Sequence, residues 1–63
     1  MNKIENYYQE MLEMLQASID DVEKFAEGNK SAGTRIRKTM QEVKNLAQVI
    51  RVEVQEQKNA VTA

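Results

Sequence analysis

Apolar side chains recur at helical spacing through the first half of the chain. Ile4, Tyr8, Met11, Leu15, Val22 and Phe25 alternate by four and three positions, with Ser18 interrupting the row. This is the period of one helix face rather than of a strand. Leu12, Ile19 and Ala26 form a second row beside the first. The apolar surface is therefore wider than a two-stranded seam, and the helix is expected to touch more than one neighbour. Glu13, Asp20 and Glu27 recur every seven residues on the other side and mark the solvent face. Asn2, with Glu5 three positions on, has the form of an N-cap, and Gly28 supplies a C-terminal stop.

A second helix is expected from Asn29 or, less favourably, from Thr34, since both residues can cap. Its apolar row of Ile36, Met40, Val43, Ala47, Ile50 and Val54 extends backward onto Ala32 and Gly33, which favours Asn29. Small residues there let two backbones approach beside the turn. The predicted elements are helix one over about 3–27, a turn at about 28–29, helix two over about 30–58 and a frayed tail at 59–63. So short a connection between long helices makes an antiparallel, all-α hairpin resembling a coiled coil.

The hairpin alone leaves Leu12, Ile19 and Leu46 half exposed, and pairing hairpins into a four-helix bundle would cover them. The predicted oligomer interface is Ile4, Tyr8, Met11, Leu12, Leu15, Ile19, Val22 and Phe25 with Ile36, Met40, Val43, Leu46, Ala47, Ile50 and Val54. A dimer is the simplest closed assembly and a tetramer the next.

Composition narrows the chemistry. The 63 residues amount to one small domain, and they include no cysteine, histidine or proline. Disulfides, the usual zinc sites, an imidazole base and a thiolate nucleophile are excluded. Apolar runs never exceed two residues, so neither a membrane span nor a signal-peptide core is expected, and the reading is a cytoplasmic protein. Glu10, Glu13, Asp20 and Asp21 lie near one another, but di-metal bundles use inward carboxylates with histidine partners. No enzyme activity, cofactor or small-molecule substrate is expected. A membrane-surface role is disfavoured because helix two lacks large aromatics. Tyr7 and Tyr8 are read as packing groups at the bundle end rather than base-stacking groups.

The net charge of −1 conceals a division. Residues 1–27 carry seven acidic and two basic side chains, while residues 28–51 carry six basic ones and a single acid, Glu42. Lys30, Arg37, Lys44, Arg51 and Lys58 recur every seven residues, one position after the Ile36, Val43 and Ile50 row. They form a ridge, and Arg35 and Lys38 add charge near the turn. Such a ridge either pairs with acids or meets an anion. Bound to DNA, it would displace counterions from phosphates with little sequence information. The competing reading is a protein-interaction or oligomerisation module whose ridge meets an acidic partner, with no direct contact to DNA.

The stretch Gly28–Asn59, GNKSAGTRIRKTMQEVKNLAQVIRVEVQEQKN, resembles the bacterial linker-histone-like proteins, also called the chlamydial histone-like family. Its most distinctive piece is GNKSAGTRIRK; helix one is similar only in general character. The best-known members continue into a lysine- and alanine-rich tail, whereas this sequence ends in QKNAVTA. The resemblance implies a nucleoid-associated, histone-like protein that binds DNA without sequence specificity, and weakly here. It carries Lys30, Arg35, Arg37, Lys38 and Lys44 over as DNA-binding positions, and the ridge itself adds Arg51.

Overall fold

The structure, a computed structural model, describes residues 2–62. Two helices, α1 (Lys3–Ala26) and α2 (Lys30–Thr62), pack side by side as an antiparallel hairpin, 53 Å in its longest dimension. Among the described residues there is no strand.

Local chemistry sets the helix ends. Asn2 is extended, and its side-chain oxygen accepts from the Ile4 amide at 2.9 Å. At the other end Gly28 adopts φ +101°. Its amide donates to the Phe25 carbonyl and the Asn29 amide to the Lys24 carbonyl, both at 3.0 Å. This pair of bonds is a Schellman motif, which satisfies the last carbonyls of α1 and reverses the chain. Asn29 at once caps α2, its side chain accepting from the Ala32 amide at 3.2 Å. One residue after a left-handed glycine thus starts the next helix, and antiparallel packing follows.

The side chains withdrawn from solvent on α1 are Ile4, Tyr7, Met11, Met14, Ser18 and Asp21, spaced by three and four. On α2 the matching row is Ala32, Ile36, Thr39, Val43, Leu46, Ile50, Glu53 and Gln57. Among the described residues, three apolar side chains are buried, Ala32, Leu46 and Ile50. Ser18 is buried too, and its hydroxyl donates to the Leu15 carbonyl at 2.9 Å. Thr39 bonds likewise to the Arg35 carbonyl, so the hydroxyls in the seam are satisfied by their own helices.

This seam corrects the sequence reading in detail. Tyr8, Leu15 and Val22 are exposed, and Tyr7, Met14 and Asp21 turn inward instead. On α2, Met40 and Val54 are exposed, whereas Leu46, expected to be half exposed, is buried. The reason is rotational: α1 carries apolar groups on two adjacent rows, and the face that meets α2 includes Asp21 because Arg35 is there to neutralise it. α2 also continues through Thr62, beyond the expected end near Lys58. No proline or glycine follows Gly33, and Gln55 bonds to Asn59 at 3.1 Å one turn on. Of the expected frayed tail, Ala63 lies outside the described residues.

At the open end, the side-chain amides of Asn2 and Gln57 bond reciprocally, each contact 2.9 Å. They tie the start of α1 to α2 and fix the hairpin register.

Candidate nucleic-acid interface

The helical rows decide which cations act together. In an antiparallel pair, residues one position after each helix's seam lie on the same broad face of the hairpin. On α2 that row holds Lys30, Arg37, Lys44 and Arg51, alternating with Gly33, Met40, Ala47 and Val54. On α1 it holds Glu5, Tyr8, Leu12, Leu15, Ile19 and Val22. One face therefore grades from apolar along α1 to cationic along the outer edge of α2.

Arg35 and Lys38 precede seam residues and lie on the opposite face. The six predicted basic positions thus divide into a row of four and a separate pair. Arg35 is also engaged: its Nε lies 2.8 Å from the Asp21 carboxylate, which is only 20% exposed. Lys24 pairs with Asp20 at 3.1 Å along α1. Among the described residues, no carboxylate comes within ion-pair distance of Lys30, Arg37, Lys38, Lys44 or Arg51, and all five are exposed.

Seven residues advance a helix by about 10.5 Å, so the row from Lys30 to Arg51 spans about 31 Å. That length is close to one turn of duplex DNA, roughly 34 Å. The first turn of α2 contains no acid, so the positive helix end adds to the field of Lys30. Beside it, Lys30 and Arg37 flank a shallow depression floored by Phe25, Gly33 and Ile36. A second shallow groove, between Lys44 and Arg51, runs along Ala47 and Gln48. Both are open to solvent.

No group of three or more metal-ligating residues gathers among the described residues. No helix there is long and apolar enough to cross a membrane.

The sequence model for histone H1-like protein Hc1 matches residues 5–60. The chain belongs to that family. The match takes in nearly all of α1, so the likeness of an Hc1-type chain here is not confined to the stretch after Gly28. No curated protein and no solved structure matches the chain. Within this Hc1 family member, sequence reasoning offered all six cations of α2 up to Arg51 as candidates. It missed that Arg35 is committed to Asp21, a pairing across the hairpin that no local spacing announces.

Proposed function

We propose that this protein is a small DNA-associated architectural protein of the nucleoid. It binds the phosphate backbone without sequence specificity, has no enzymatic role, and works in the cytoplasm as a self-associated hairpin. A dimer is the simplest assembly, with a tetramer as the next closed form. The family supplies the class of function. The observation that carries the reading is the row of Lys30, Arg37, Lys44 and Arg51, exposed and unengaged by carboxylates among the described residues.

The chemistry needs only charge. Arg37 and Arg51 grip phosphate oxygens with two parallel donors, while Lys30 and Lys44 act as point charges. Counterions leave the duplex as the cations approach, and this release drives binding. Because phosphates repeat identically along DNA, sequence is not read.

The test is titration of the full chain with two unrelated duplexes at 50 and 200 mM salt. Saturable binding of equal strength to both is expected, and it should fall by roughly two decades between those salts if four phosphates are neutralised. Absence of binding at the lower salt would overturn the reading.

A further inference from the structure

Large apolar side chains line the outside of α1 more densely than its inside. Leu12, Leu15, Ile19 and Val22 are 39–54% exposed, while the inward row includes Ser18 and Asp21. The hairpin exposes 5084 Å² in all. A compact protein of 7.3 kDa exposes roughly 4,200 Å², so the excess is about 900 Å². One partner in an ordinary protein interface covers about 800 Å². With three buried apolar side chains among the described residues and no cysteine to staple it, a chain this small is of the kind that association stabilises.

We infer that a second copy of the chain covers this face, each α1 lying antiparallel along the partner's α2 in a two-fold four-helix bundle. The inference rests on the self-association in the reading above but not on its DNA binding. Two closed pairings bring these faces together: like helix against like, or α1 against the partner's α2. Charge separates them. Stacking α2 on α2 would align two rows of Arg37, Lys44 and Arg51, like charges facing across one edge. The alternative sets the acidic helix against the basic stretch of its partner. The exposed leucine and isoleucine row of α1 then packs on Met40, Ala47 and Val54, between the cations. Stems of Arg37, Lys44 and Arg51 cover the edge of that contact, and their charged heads stay in water.

The register of the hairpin, set by Asn2 against Gln57 and Phe25 against Gly33, puts Leu12 level with Leu46 and Ala47. A two-fold axis parallel to the helices keeps that level in the partner. Full-length chains carrying Leu12→Cys and others carrying Ala47→Cys, mixed and oxidised without DNA, should form the mixed disulfide in preference to either homodisulfide. Sedimentation equilibrium of the unmodified chain should give twice its mass, or four times in a pair of such dimers. A single-chain mass at micromolar concentration would overturn the inference. So would a multimer in which Leu12→Cys chains link mainly to one another, or in which no mixed link forms. Ile19→Glu should lower the mass to one chain, whereas Gln16→Glu on the outer side of α1 should leave it unchanged. Retention of the dimer by Ile19→Glu would also count against the face assigned. Neither mass nor cross-link depends on DNA, so their failure is separable from failure of the titration.

Discussion

The ring of Phe25 lies over the backbone of Gly33, where a β-carbon would sit 2.7 Å from ring Cε1. The glycine is inside α2, where it costs roughly 1 kcal/mol relative to alanine. What it gains is the close approach of the ring. Gly33→Ala should leave stability within about 0.5 kcal/mol, because the helix gain is offset as the half-exposed ring is displaced. In a Phe25→Ala background the same change should stabilise by about 1 kcal/mol. Urea unfolding of the four proteins checks this, and equal effects in both backgrounds would refute it.

Gly28 is the opposite case. Nothing lies within 4 Å of where its β-carbon would be, yet its φ is +101°. Gly28→Ala should therefore destabilise by about 1 kcal/mol through backbone strain alone, despite the open space. A thermal midpoint that does not fall would show that the Schellman turn tolerates another geometry.

Asp21 and Arg35 should respond unequally to removal. Arg35→Ala leaves a carboxylate that is 20% exposed without its partner, at a cost of about 1 kcal/mol after allowing for solvent screening. Asp21→Leu replaces a charge in the seam by an apolar group and leaves an arginine that water reaches. That change should be neutral or stabilising. Denaturant midpoints compare the two, and equal losses would argue against this account.

The two faces of α2 should differ in DNA binding. Lys44→Glu with Arg51→Glu should weaken binding and reduce the salt slope by about two. Lys38→Glu, on the other face, should change affinity far less. Circular dichroism should remain helical in both variants because these side chains are exposed. Equal losses from either face would mean that net charge, not the row, governs the interaction.

Much of this organisation is legible in the linear chain. Asn2, Gly28 and Asn29 announce three helix ends, because capping depends on residues within four positions of one another. The heptad spacing of Lys30, Arg37, Lys44 and Arg51 puts them on one row of any helix that contains them. Arg35 and Lys38, close in sequence to the same residues, look like part of that cluster until the seam is known. Their separation onto the other face, and the capture of Arg35 by Asp21, depend on a helix fourteen residues away.

Sequence alone therefore determined two amphipathic helices, the turn between them and the division of charge, since each follows from local spacing. Tertiary structure alone decided which apolar row of α1 faces α2. Tyr7, Met14 and Asp21 adjoin Tyr8, Leu15 and Val22, and a periodicity cannot distinguish rows one residue apart. The choice is made by the facing helix: Gly33 accepts the Phe25 ring and Arg35 neutralises Asp21, and together they set the rotation of α1.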